Sequence, residues 1–170
     1  MKATNIPTPN TPNHRLVVSR EFEAPRELVW KAWREPEQMK EWLDLGEGIR
    51  IELVKMDMRV GGRFRLQTRM ADGEFFTAVG TYLEVKPFER LVYTWDWEKD
   101  GSGPEFGELE GKETLLTVEF RASRKGTQLI LTHERFESAE RRDRHEGGWK
   151  DWMGRLAKFI EAKQGLKTGS

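Results

Sequence analysis

The period of the apolar residues changes several times along the chain. Leu16, Val17 and Val18, followed by Phe22, predict a first strand over Arg15–Glu23. Pro25 suits the first position of a helix. Leu28, Val29, Ala32 and Trp33 then recur at helical spacing, so Pro25–Arg34 reads as a short amphipathic helix. Pro36 cannot continue that helix but can begin another, to which Met39, Trp42 and Leu43 give an apolar side.

Beyond Gly46 and Gly48 the pattern alternates. Ile49, Ile51 and Leu53 share one phase and Val54, Met56 and Met58 the other, a slip that predicts a bulge. Gly61-Gly62 marks a tight turn. Phe64, Leu66, Thr68 and Met70 then oppose Arg63, Arg65, Gln67 and Arg69, the mark of a strand with one face in the core and one in water. Asp72-Gly73 signals a hairpin into a strand over Phe76–Val85, broken at Lys86-Pro87. Leu91, Tyr93, Trp95 and Trp97 line one face of the next strand. Glu98–Lys112 holds four glycines and five acidic residues and reads as a mobile loop. Thr114–Arg121 and Thr127–Phe136 are two further strands, turning at Arg124-Lys125-Gly126. Ala139–Lys163 is the longest helix, with Trp149, Trp152, Met153, Leu156, Phe159 and Ile160 as its apolar stripe.

A run of strands bounded by helices is an α+β fold. One antiparallel sheet cannot leave its apolar face in water, and only the last helix carries a stripe long enough to cover it. At 170 residues this is one domain, residues 15–163, between a disordered lead-in (1–14) and a flexible tail (164–170).

Charge and composition narrow the function. Lys+Arg and Asp+Glu are each 29, which disfavours a basic nucleic-acid binder. There is no cysteine, so thiol nucleophiles and Cys-ligated metals are excluded. No apolar run is long enough for a membrane span or resembles a secretory signal, and a cytoplasmic protein is expected. His145-Glu146 begins like the zinc pattern H-E-x-x-H, but Trp149 stands in the place of the second ligand, and His133-Glu134 has no His four residues on. Neither a metal nor another cofactor is expected. Gly101-x-Gly103 lies among acidic residues that would repel phosphate. Arg135, Arg141, Arg142 and Arg144 alternate with Glu134, Glu137, Glu140 and Asp143, which reads as a solvated, ion-paired face.

Four stretches resemble a known family: Ala24-Pro25-Arg26-Glu27-Leu28-Val29-Trp30-Lys31-Ala32-Trp33; Asp57-Met58-Arg59-Val60-Gly61-Gly62-Arg63-Phe64; Gly80-Thr81-Tyr82-Leu83-Glu84-Val85-Lys86-Pro87 running on to Trp95; and His145-Glu146-Gly147-Gly148-Trp149. With the element order, they resemble the START/helix-grip (SRPBCC) superfamily. Within it they are similar to the bacterial branch related to the C-terminal domain of the heat-shock-protein-90 ATPase activator. The resemblance implies a curved sheet of six or seven strands around the last helix, with a deep cavity between them that takes apolar molecules.

Seven tryptophans are awkward core filler, because each indole N–H needs an acceptor. Trp95 and Trp97 share a strand face, and Trp149 and Trp152 a helix face. His133 is in phase with Leu129 and Leu131, and His145 lies one helical turn before Trp149. If a cavity exists, these six residues and Met153 are the candidate ligand contacts, with the histidines as polar anchors or acid–base groups. Each is also readable as plain core. No catalytic residue stands out. The expected function is binding of a small apolar or aromatic molecule. The alternatives are a chaperone-contacting interaction domain and an enzyme acting on a polyketide-like or aromatic substrate.

Overall fold

The computed structural model describes residues 14–44, 48–99 and 106–168. The elements are β1 (His14–Phe22), α1 (Arg26–Arg34), α2 (Pro36–Leu43), β2 (Arg50–Met56), β3 (Arg63–Arg69), β4 (Phe75–Lys86), β5 (Arg90–Trp97), β6 (Thr114–Ala122), β7 (Thr127–Phe136) and α3 (Ala139–Thr168). The strands form one seven-stranded sheet in the order β1-β7-β6-β5-β4-β3-β2, and every pair is antiparallel. This is the expected α+β helix-grip architecture.

Local chemistry explains the boundaries. Pro25 precedes α1 in an extended conformation as its N-cap, so the helix starts one residue later than the sequence predicts. Pro36 opens α2, where its missing N–H costs nothing. The Ser138 hydroxyl caps α3 by accepting the Arg141 N–H at 3.1 Å. The phase slip in β2 is a register shift between Ile51 and Leu53. Gly61 has φ +85°, and its N–H donates to the Tyr82 carbonyl at 2.8 Å, which ties the β2–β3 turn to β4.

The core lies between the inner sheet face and the helices. Trp149, Met153, Leu156 and Ile160 of α3 are buried, as are Trp30 and Trp33 of α1 and Trp42 of α2. The Trp42 N–H donates to the Ala32 carbonyl at 2.9 Å, which fixes α2 against α1. α3 runs to Thr168, through most of the stretch expected to be a tail. The Gln164 amide donates to the Glu23 carbonyl at 2.8 Å and holds this end against the chain after β1. Residues 169–170 and 1–13 lie outside the described residues, and His14, assigned by sequence to the lead-in, already belongs to β1.

Two further expectations need correction, and one interaction accounts for both. The middle of the polar side of β3 does not face water: Arg65 is 1% exposed and Gln67 is 7% exposed, while Arg63 and Arg69 at the strand ends are exposed as expected. Glu98, assigned by sequence to a mobile loop, is buried beneath the same outer face. Arg65 holds it with two parallel hydrogen bonds of 2.9 Å each, from Nε and Nη2. The segment after Glu98 is tied down where it returns. Glu98 bridges to Leu109, the Lys99 N–H donates to the Glu108 carbonyl at 2.8 Å, and the Glu110 N–H donates to the Trp97 carbonyl at 2.9 Å. Phe106 sits 3.8 Å from the Arg63 guanidinium and 5.9 Å from that of Arg65. Residues 100–105 of the expected loop lie outside the described residues.

Candidate functional site: an aromatic cleft between β5 and α3

Alternation along β5 turns Leu91, Tyr93, Trp95 and Trp97 toward the helices. The first turns of α3 approach the end of this row, and helical spacing stacks His145, Trp149 and Trp152 opposite it. Rings meet edge to face across the gap: Trp95–Trp149 at 5.2 Å and 62°, Trp95–Trp152 at 6.4 Å and 74°. Trp149 and Trp152 lie 4.7 Å apart at 74°. Such contacts add to area burial and hold each ring at a fixed angle.

These walls do not meet everywhere. A cleft of about 260 Å³ remains, lined by Trp95, Trp97, Arg144, His145, Gly148, Trp149 and Trp152. Deeper between sheet and helix, Trp33, Phe64, Tyr82, Tyr93, Trp95 and Trp152 leave only about 20 Å³. That is room for roughly one water. The deep cavity implied by the resemblance is therefore filled by aromatic rings, and the open volume lies at the α3 end of β5. A second cavity of about 300 Å³ continues from it, sharing Trp97, Arg144 and His145 and reaching Lys99, Glu110 and Arg141. The return of the Glu98–Lys112 segment thus forms part of the rim.

Five of the seven residues proposed from sequence line the cleft: Trp95, Trp97, His145, Trp149 and Trp152. His133 and Met153 do not. Met153 is 2% exposed and packs in the core. His133 is fully buried behind Trp149, and both of its ring nitrogens are engaged. Trp149 Nε1–H donates to His133 Nδ1 at 3.0 Å, leaving the proton on Nε2, which faces Thr114 Oγ1 at 2.6 Å. The Thr114 hydroxyl in turn donates to the Trp95 carbonyl at 3.0 Å. His133 is therefore a positioning group for Trp149, not a ligand contact.

His145 is also engaged. Its Nδ1–H donates to the Arg141 carbonyl at 2.9 Å, and its Nε2 accepts from Trp97 Nε1–H at 3.2 Å. Burial lowers the pKa of both histidines. For His133 it falls from 6.5 to about 2, helped by the neighbouring His145 and Arg141. For His145 burial is again the main cause, and Arg141 and Arg144 add to it against the opposing hydrogen bond to the Arg141 carbonyl and the charge of Glu110. Both rings are neutral at pH 7. The unfolded chain binds protons at these sites near pH 6.5 and the folded one only at lower pH, so stability is full above pH 6.5 and falls as pH drops below it. His133 alone should cost about 2 kcal/mol between pH 6.5 and pH 5, at about 1.4 kcal/mol per unit. Urea midpoints over that range test this, and the slope should shrink in His133→Gln. A flat profile in the parent protein would refute the buried neutral assignment.

Arg144 and Gly148 were not singled out from sequence as site residues. They were legible, because Arg144, Gly148 and Trp152 succeed one another at steps of four, beside the row His145, Trp149, Trp152. Two adjacent glycines inside a helix are themselves a signal, since each costs about 1 kcal/mol relative to Ala. A Cβ at Gly148 would meet nothing within 4 Å. Trp95 supplies a further polar feature: its N–H is buried and has no acceptor among the described residues. Among the described residues the lining contains no hydroxyl, thiol or carboxylate side chain. Among the described residues no three His, Asp or Glu side chains gather as metal ligands, and no helix is long and apolar enough to cross a membrane.

Comparison with known proteins gives the same architecture. A solved protein from Chromobacterium violaceum is 25% identical over 86% of this chain and 96% of its own, with a TM-score of 0.72. The AHSA1 protein from Silicibacter pomeroyi is 22% identical over 88% of this chain and 99% of its own, with a TM-score of 0.74. An AHSA1-like protein from Aeromonas hydrophila is 22% identical over 89% and 94%, with a TM-score of 0.71. No curated protein matches the chain. The family described as Activator of Hsp90 ATPase homolog 1-like protein matches residues 23–161, from the end of β1 almost to the end of α3. The chain therefore belongs to that family, within the SRPBCC helix-grip superfamily.

Proposed function

We propose that this protein is a cytoplasmic binder of a small aromatic or apolar molecule, held in the cleft between β5 and α3. The observation that carries the reading is the cleft itself: about 260 Å³ walled by four indoles, with a bare helical glycine, Gly148, on one side. That volume lies just under the ~300–1,000 Å³ usual for small-molecule sites. It suits one or two fused rings and is too small for a sterol. A two-ring ligand burying on the order of 200 Å² gains about 5 kcal/mol before ordering costs, so this term alone gives binding no tighter than about 0.2 mM.

The test is a titration followed by tryptophan emission, with naphthalene-sized and sterol-sized compounds. The two-ring compounds should saturate the signal and the sterols should not. Gly148→Leu fills the cleft and should abolish binding, whereas Gly147→Leu, on the exposed neighbouring position outside the lining, should leave it intact. Equal binding by both variants would exclude this cleft. A chaperone partner, suggested by the family, is the second reading. Recovery of a chaperone in a pull-down that is insensitive to Gly148→Leu would favour it.

A further inference from the structure

The polar groups around the cleft are one-sided. Trp97 N–H and both nitrogens of His145 are spent on each other and on the Arg141 carbonyl, and Trp149 N–H is spent on His133. What remains among the described lining side chains is the Arg144 guanidinium, a donor. Among the described residues Arg144 is the one charged residue of the lining. Its nearest carboxylate, Glu140, lies 3.9 Å away, and its own side chain is 72% exposed, so it is weakly held. The other basic residues of this face are better paired: Arg141 meets Glu110 at 2.9 Å, Arg142 meets Asp143 at 3.0 Å, and Lys99 meets Glu108 at 3.3 Å. Arg144 also stands where the aromatic cleft passes into the second cavity.

We propose that the occupant is an aromatic acid, its ring between the indoles and its carboxylate, or an equivalent oxyanion, on Arg144 at the mouth. The inference rests on the binding role assigned to the cleft and adds the class of ligand. The apolar walls select the ring but do not distinguish acids from neutral compounds. A planar fork of guanidinium donors matches a carboxylate in a way that no other lining group does. A neutral aromatic leaves Arg144 to water, and a cationic one is repelled.

The experiment compares 2-naphthoate with 2-naphthamide, which share a ring and differ in charge, by calorimetric titration into the whole protein at low and high salt. The parent protein should bind the acid about tenfold more tightly than the amide, and the ratio should fall at high salt. In Arg144→Gln the ratio should approach one. Arg144→Lys should keep part of it, because charge survives while the fork is lost. Binding of both compounds with equal affinity by the parent protein would overturn this inference and leave the cleft as a neutral aromatic site. A preference for the acid that persists in Arg144→Gln would overturn the assignment to Arg144. Failure of both compounds to bind would overturn the reading of the cleft itself.

Discussion

Replacing Glu98 with Gln should destabilise the protein by about 3–5 kcal/mol, because it removes one charge of a buried, doubly hydrogen-bonded ion pair. The side chains of the pair are 1% and 0% exposed, and their two 2.9 Å contacts join the middle of β3 to the residue that follows β5. Desolvation of the charges opposes their attraction, so the intact pair contributes little net stability, but half of it is costly. Two controls separate this account from a general sensitivity of the region. Glu108→Gln breaks only the exposed pair with Lys99 and should change stability by less than about 1 kcal/mol. Arg65→Met combined with Glu98→Leu removes both charges and should recover much of the loss. Urea denaturation of the three variants decides it. A Glu98→Gln protein within 1 kcal/mol of the parent would show that the outer face is wetter than the geometry indicates.

Gly80→Ala should be at least as damaging, at roughly 3 kcal/mol or more. Gly80 sits opposite Phe64 on β4, and a Cβ there would be driven into the Thr94 carbonyl oxygen and the Phe64 ring. A backbone oxygen cannot rotate away as a side chain can, so the β4–β5 ladder would have to part. The Thr81 N–H to Thr94 Oγ1 bond of 2.9 Å is next in line to break. The same chemical change at Gly147 meets open space and improves helix propensity, and should raise stability by about 0.5–1 kcal/mol. Thermal denaturation should therefore move in opposite directions for the two variants. If Gly80→Ala melts with the parent protein, the close approach of β4 to β5 at this point is wrong.

The two glycines show what is readable in the sequence and what is not. Periodicity locates every helix and strand, because one-sided burial imposes a period of two or 3.6 on the apolar residues. It also places Trp95 with Trp97, and Trp149 with Trp152. It fails on β3, where Arg65 and Gln67 alternate with apolar residues just as solvent-facing residues would. Arg65 is buried against Glu98, 33 positions away, and no local pattern carries that information. His133 misleads for a related reason. Alternation correctly turns it inward, but inward here means behind Trp149 and not toward the cleft, and only the Trp149–His133–Thr114 hydrogen bonds make that distinction. Arg144 lies in a run of alternating charges that reads as a solvated face. Most of that run is ion-paired as expected, and Arg144 differs in its position beside a glycine at the end of an aromatic row.

The central claim is that the space between β5 and the start of α3 holds a ligand. The most direct measurement is a crystal structure of the protein grown with 2-naphthoate. The account predicts ring density between Trp97 and Trp152, over the bare face of Gly148, with the carboxylate within hydrogen-bonding reach of Arg144. Indoles closed on one another across an empty cleft, with the compound absent or seated elsewhere on the surface, would contradict it.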